Sequence, residues 1–339
     1  MSVSLRIGPP KAEEVQIEMK ATTLCGPDVH YYTHFRNGDI QIKEPLSQGH
    51  ESAGLVVAVG PEVASNHGIK VGDRVAVEAG VPCDKCEVCL DGDYNVAKIC
   101  DSVAVQPPSR TFRALFWSGS IIQPSGLPET LSYVDGALLE PLAVAIHSVR
   151  KADAKPGATC LVVGAGAVGL LCAAAAKCAG YSRVVMADIA SNRLAFAKGN
   201  NFANETVTLV SKRANSIEDG LASAKKDAAD LVARNQGDRF ARTFECTGVE
   251  GCVRTAIYAT RGGGKVLLVG MGTPIQTLPM SAVSLREVDL VGVWRYANCY
   301  PQGIKLMERS TKDRSIPDLK GLITHSYKGL SMVPEAFDK

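Results

Sequence analysis

No stretch of this 339-residue sequence is long and uncharged enough to cross a bilayer, so no helical membrane span is expected. Charge of one sign is also missing. The 37 Lys and Arg against 35 Asp and Glu leave a formal +2, which gives no footing for a nucleic acid or an anionic membrane as partner. The opening residues, "MSVSLRIGPPKAEEVQIEMK", lack the basic start and apolar core of an export signal. No internal repeat or low-complexity tract interrupts the chain, which argues against a repeat architecture. With no export signal, the eleven cysteines read as thiols or metal ligands in a reducing compartment rather than disulfides, and the expected location is the cytosol.

A chain of this length exceeds what one compact domain usually holds, so two domains are expected. The N-terminal third alternates apolar and polar residues and is broken by Gly and Pro. Residues 52–60, "SAGLVVAVG", and 72–80, "GDRVAVEAG", read as strands of an irregular β-rich domain. From about residue 136 the pattern changes. "GALLEPLAVAIHSV" predicts a helix, followed by strands at 159–165, 183–188, 242–248, 265–270 and 288–294. Helical stretches lie between them: "AVGLLCAAAAKCA", "SIEDGLASAKKDAADLVARN" and "GCVRTAIYAT". Alternation of this kind predicts a doubly wound parallel sheet with helices on both faces. The expected division is 1–135, completed by 296–339, and 136–295.

"CLVVGAGAVGLL" places Gly164, Gly166 and Gly169 as G-x-G-x-x-G directly after a strand and at the opening of a helix. The first glycine permits a tight turn, the second lets the backbone approach a pyrophosphate, and the third lets helix and strand pack closely. The helix N-terminus then faces the phosphates. Asp188 ends the next strand, where a carboxylate binds both ribose hydroxyls and repels a 2′-phosphate, so NAD is expected over NADP. Arg193, five residues on, tempers that repulsion.

"CDKCEVC" sets Cys83, Cys86 and Cys89 at C-x2-C-x2-C spacing, and short loops of this kind aim several thiolates at one point. A tetrahedral structural zinc needs a fourth ligand, for which Cys100 is the nearest cysteine. Cys25, the "GHE" of His50 and Glu51, and the "LLEP" of Glu140 say little singly, since a lone His or Glu is more often a surface or packing residue.

Taken in order, "LCGPDVHYY", "GHESAGLVVAVG", "PCDKCEVCLDGDYN", "LLEPLAVAIHSV", the glycine fingerprint and "REVDLVGVWRY" resemble the zinc-dependent medium-chain dehydrogenase/reductase superfamily over nearly the whole chain. Within it they are most similar to the polyol branch of sorbitol, xylitol and L-arabinitol dehydrogenases. The resemblance implies a Rossmann domain beside a GroES-like catalytic domain. It implies a catalytic zinc on Cys25, His50 and Glu51, with Glu140 as a fourth ligand or bound to the zinc water, and an open position for the substrate oxygen. It implies that an alcohol bound there yields a hydride to the nicotinamide of NAD, or that a ketone is reduced. Glutamate in place of a second cysteine makes the ligand set harder. His30 is implied beside the nicotinamide ribose, Tyr31 in the pocket, and Arg295 and Tyr296 near ribose and substrate hydroxyls. The implied cofactor contacts further include Val168, Val269, Gly270, Met271 and Trp294. His34, His67 and His325 read as solvated loop residues, and a homotetramer is implied by resemblance alone.

The chain also departs from that family. Pro27 stands where the family carries Ser or Thr, the first hydroxyl of a relay that takes the alcohol proton to water; proline neither donates nor accepts there. Ala97 stands where the fourth structural cysteine is usual, with Cys100 displaced by three residues. The segment before Cys25 is short, and "PEAFDK" precedes the last strand the resemblance leads one to expect. Three activities fit this pattern: a zinc- and NAD-dependent polyol dehydrogenase, a reductase of another carbonyl or C=N compound, and a non-catalytic nucleotide-binding paralogue.

Overall fold

The computed structural model describes residues 8–12, 14–37, 40–43, 49–83, 85–97, 101–102, 125–210 and 214–338. The chain forms two compact units. The first is Met1–Glu140 with Ala297–Glu308 and Ile323–Lys339; the second is Pro141–Tyr296 with Arg309–Leu322. Part of the C-terminal stretch expected in the first domain thus belongs to the second unit.

The first unit is built on a four-stranded antiparallel sheet of β1 Val15–Thr23, β4 Glu51–Val59, β5 Arg74–Val77 and β8 Ser125–Gly126, in that order. Two short antiparallel pairs accompany it, β2 Arg36–Asn37 with β3 Ile40–Gln41 and β6 Gly80–Val81 with β7 Asp101–Ser102. Val15 and Ile17 of β1, and Val56 and Val59 of β4, which the irregularity beside Val57 brings opposite them, pack with Val63, Ile69 and Val75 on one face of the sheet. β1 and β4 pair over their whole length, from Val15↔Val59 to Thr23↔Glu51, with irregularities at Gln16/Ile17 and Met19/Ala21.

The second unit holds a six-stranded parallel sheet. Its strands are β9 Thr159–Val163, β10 Arg183–Asp188, β11 Glu205–Thr208, β12 Phe240–Glu245, β13 Thr260–Leu268 and β14 Asp289–Gly292. They lie in the order β11-β10-β9-β12-β13-β14. Central strands covered on both faces read as unbroken apolar runs, and Cys160 to Val163 and Val184 to Ala187 are all fully buried. The chain runs outward from β9 through β10 and β11, then returns to lay β12, β13 and β14 on the other side. The reversal lies between β9 and β12, and a ligand crevice opens at the carboxyl ends of such a pair. Among the described residues no helix is long and apolar enough to cross a membrane.

Candidate active site

Antiparallel pairing brings the first cluster together. β1 ends at Thr23 opposite Glu51, the first residue of β4, so the chain leaving one strand runs beside the chain entering the other. Cys25 follows β1 and His50 precedes β4. Donor atoms of Cys25, His50 and Glu51 all lie within 4.8 Å of one another. His50 and Glu51 are buried and Cys25 is partly so. The Thr23 hydroxyl donates to Glu51 Oε2 and fixes the carboxylate from the neighbouring strand.

Cys25 also starts the helix Gly26–His34, and its N–H donates to Asp28 Oδ2 at 3.4 Å. Asp28 is 1% exposed, and its Oδ1 lies 3.5 Å from His50 Nδ1. An imidazole held by its Nδ1 side against a carboxylate offers Nε2 to a metal, a pairing that fixes both tautomer and ring orientation. Pro27 sits in the first turn of this helix. Its fixed φ suits that turn and its missing N–H is one the helix leaves unbonded anyway, so proline shapes the backbone at no local cost.

The electrostatics fit a cation. Burial first, and then the charges of Glu51, Glu140 and Asp28, push the Cys25 thiol far up. Burial likewise raises Glu51, against the pull of the Thr23 hydroxyl and His50. Burial works against the charged imidazolium of His50, but the facing Asp28 carboxylate and the Glu140 and Glu51 charges outweigh it and push its pKa up to about 9. Acidic groups gathered this closely hold their protons unless a cation balances them, and one thiolate, one imidazole and one carboxylate are a zinc donor set. Glu140, 5% exposed, acts on both Cys25 and His50 but is not among the three residues whose donor atoms cluster. Tyr31 is buried in the helix that Cys25 starts, whereas His30 and His34 are exposed and stacked at 6.0 Å.

The second constellation lies in the other unit. Gly164 has φ +101, and a Cβ at Gly169 would meet the Gly164 carbonyl oxygen at 1.9 Å, so both positions require glycine. A Cβ at Gly166 would meet nothing within 4 Å, and the helix Ala167–Cys178, with Val168 in its first turn, opens there. The open backbone and the N–H groups of the helix start suit a pyrophosphate. Asp188 ends β10; its Oδ2 accepts from Ala165 N at 2.6 Å and its Oδ1 from Ala190 N at 2.8 Å. The carboxylate is thereby anchored at the glycine turn with lone pairs left for further donors. Arg193 is exposed on the helix Ser191–Gly199. Val269 N and Gly270 N both donate to the Glu245 carbonyl, Met271 is 43% exposed, and the Arg295 guanidinium lies over the Trp294 ring at 5.3 Å. Tyr296 is buried, and Arg295 takes a left-handed φ of 49°.

Residues 11–123 match the family model of the alcohol dehydrogenase GroES-like domain, and residues 167–309 that of the zinc-binding dehydrogenases. The sorbitol dehydrogenase of Arabidopsis thaliana is 37% identical over 98% of this chain and 85% of its own length. A probable D-xylulose reductase A of Emericella nidulans is 40% identical over 84% of this chain and 76% of its own. The chain belongs to the polyol branch of the zinc-dependent medium-chain dehydrogenase/reductase superfamily. Among solved structures, an Escherichia coli oxidoreductase/dehydrogenase of unknown specificity is 32% identical with a TM-score of 0.80, covering 99% of this chain and 90% of that one. Escherichia coli galactitol-1-phosphate dehydrogenase, at 24% identity and a TM-score of 0.76 over 99% of this chain and 92% of that one, shares the fold.

In this medium-chain dehydrogenase the cluster of three cysteines is also assembled. Ligand atoms of Cys83, Cys86 and Cys89 lie within 4.8 Å of one another, and the Cys83 and Cys89 sulfurs are 3.7 Å apart. Backbone N–H groups of Lys85 and Cys86 lower the Cys83 pKa to about 7, toward the thiolate a metal takes. Ala97 packs against this cluster together with Tyr94 and Ala297. Cys100, the expected fourth ligand, lies outside the described residues.

Two partners of the clustered donors Cys25, His50 and Glu51 had no clear signature in the sequence. Asp28 carried one signal, its place three residues after Cys25, where an acidic side chain reaches back to a helix start. Thr23 carried none until the β1–β4 register put it opposite Glu51.

Beside the cysteine lobe, Glu78 is buried and accepts from the Tyr94 hydroxyl at 2.5 Å, while Asn298 N donates to the same hydroxyl at 2.7 Å. Burial pushes the Glu78 pKa up to about 7, with the Tyr94 bond pulling it down. A carboxyl raised in the folded state adds stability that is full below its unfolded pKa and lost as pH rises through about 7. Glu78→Gln keeps the acceptor and removes the charge. It should therefore gain up to about 3 kcal/mol over wild type at pH 8 and almost nothing at pH 4. Denaturant unfolding at both pH values measures this, and equal differences at the two would sink the assignment.

Proposed function

We propose that the protein is an NAD-linked, zinc-dependent dehydrogenase that interconverts a secondary alcohol of a polyol and the corresponding ketone. The observation that carries this reading is the convergence of Cys25, His50 and Glu51 donors on one point, backed by Asp28 and Thr23. Zinc bound there supplies a Lewis acid that acidifies an alcohol or polarises a ketone. The protein's own part is to hold that centre. Asp28 orients the His50 ring, Thr23 orients the Glu51 carboxylate, and burial keeps bulk water from competing. The glycine turn and Asp188 orient the dinucleotide, and the Asp188 carboxylate favours NAD over NADP. Arg295, Tyr296 and Tyr31 are assigned to ribose and substrate hydroxyls on family resemblance. A homo-oligomer, a tetramer by the same resemblance, and a cytosolic location complete the reading; sedimentation as a monomer at micromolar concentration would refute the assembly.

Pro27 favours a second reading of direction, since its side chain has neither donor nor acceptor beside Cys25. With no hydroxyl there, reduction should be more efficient than oxidation. A substrate panel of polyols and ketoses run in both directions, with zinc content measured, tests the activity. Pro27→Ser should raise oxidation near neutral pH tenfold or more at unchanged cofactor affinity, because a positioned acid–base group contributes about a hundredfold. An unchanged pH–rate profile at full zinc content would make Pro27 a pocket-shaping residue only. Turnover of no polyol or ketose in either direction would refute the substrate class.

A further inference from the structure

Glu245 ends β12, beside β9 where the strand order reverses, and is 1% exposed. A carboxylate at that depth is costly unless donors meet it, and three do. Thr247 N donates to Oε1 and Gly248 N to Oε2, each at 2.9 Å, and the Thr247 hydroxyl also donates to Oε1. Thr247 Oγ1 in turn accepts from Val249 N at 3.0 Å. Burial pushes the carboxyl up and these donors pull it back. The main-chain carbonyl of the same residue accepts from both Val269 N and Gly270 N at 2.9 Å.

The turn that this carboxylate closes is wedged between two glycine segments. A Cβ at Gly164 would lie 2.9 Å from Thr247 Cγ2 and 3.5 Å from the Cys246 carbonyl. On the other side, a Cβ at Gly248 would meet Gly272 N at 2.3 Å, and one at Gly270 would meet Gly248 N at 2.2 Å. The first glycine of the fingerprint and the Gly270–Gly272 stretch therefore both rest on residues 246–248. Glu245 holds that turn with its side chain and the second stretch with its backbone.

We propose that Glu245 is a positioning residue of the dinucleotide site: it fixes the spacing of the two glycine segments and so sets cofactor affinity without touching the cofactor. The role rests on the dinucleotide reading above. It requires an acceptor at both carboxylate oxygens, because Thr247 and Gly248 present only donors to them. Glutamine would turn an NH2 toward one of those donors.

NADH titration of the zinc-loaded wild type, Glu245→Gln, Thr247→Val and Thr247→Ser tests this, alongside steady-state kinetics. Glu245→Gln should weaken NADH about tenfold or more and raise the KM for NADH alike, since hydrogen bonds to a charged group are the strong ones. Turnover at saturating NADH and zinc content should stay near wild type. Thr247→Val should weaken NADH and Thr247→Ser, which keeps the hydroxyl, should not. A folded Glu245→Gln protein with NADH affinity within twofold of wild type overturns the proposal, as does a fall in kcat at unchanged KM. If Glu245→Gln does not fold, equal affinities of Thr247→Val and Thr247→Ser overturn it. Wild type that binds neither NADH nor NADPH refutes the dinucleotide reading itself and the proposal with it.

Discussion

Cys25→Ser and His50→Ala should each cut turnover by about a thousandfold or more while leaving NADH affinity within about twofold of wild type. The size follows from the several kcal/mol that a Lewis acid contributes to the reacting centre, at about 1.4 kcal/mol per tenfold. Serine does not ionise where a thiol does, and alanine offers no donor, so each change leaves two of three clustered ligands. Selectivity for turnover over binding follows from chain position. Gly164, Gly166, Gly169 and Asp188 belong to the second unit, and Cys25, His50, Glu51 and Glu140 to the first. Metal analysis and a fluorescence titration with NADH measure the two effects on the same samples. Full activity in metal-stripped wild type would end the zinc mechanism.

The second large effect is expected at Asp188. Removing its carboxylate in Asp188→Ala takes away the acceptor for Ala165 N and Ala190 N as well as the group proposed to bind the ribose. Two charge-assisted bonds at about 1.5–3 kcal/mol each imply a loss of NAD affinity of about a hundredfold or more. NADP should suffer less, because a repelling charge leaves with the carboxylate. Kinetics with both cofactors give the ratio. A wild type that already prefers NADP would show that Asp188 is a brace for the glycine turn and not a selector.

Much of the second unit could be read directly from the chain. Buried parallel strands show as apolar runs, and a glycine that admits no Cβ at Gly164 or Gly169 is visible as a motif. Even there the expected strand at 242–248 stops at Glu245, because its buried carboxylate draws the N–H groups of Thr247 and Gly248 into a turn. The short strand Glu205–Thr208 and the helix Ser191–Gly199 gave no comparable signal. In the first unit, Cys25, His50, Glu51 and Glu140 were found through resemblance, since nothing local ties residue 25 to residue 50. Their proximity is a property of strand pairing, and β1 itself was not among the expected strands. Asp28 and Thr23 matter through contacts made after folding, which sequence spacing does not encode. Ala97 was legible as a departure, and the structure shows it packed beside the three thiols.

The two irregularities in the β1–β4 pairing have an evolutionary meaning. One leaves Lys20 without an opposite residue on β1, and the other leaves Val57 so on β4. They offset each other, so the register at Thr23↔Glu51 is the one that Val15↔Val59 already sets. Losing Lys20 alone would slip one end of the ladder by a residue and turn its side chains to the opposite face. Such a slip would carry Thr23 away from Glu51 and part Cys25 from His50. Length changes in this strand pair are therefore tolerable only as matched pairs, one on each strand. Among descendants of this gene, a lineage that drops a residue near position 20 should also have dropped one near position 57.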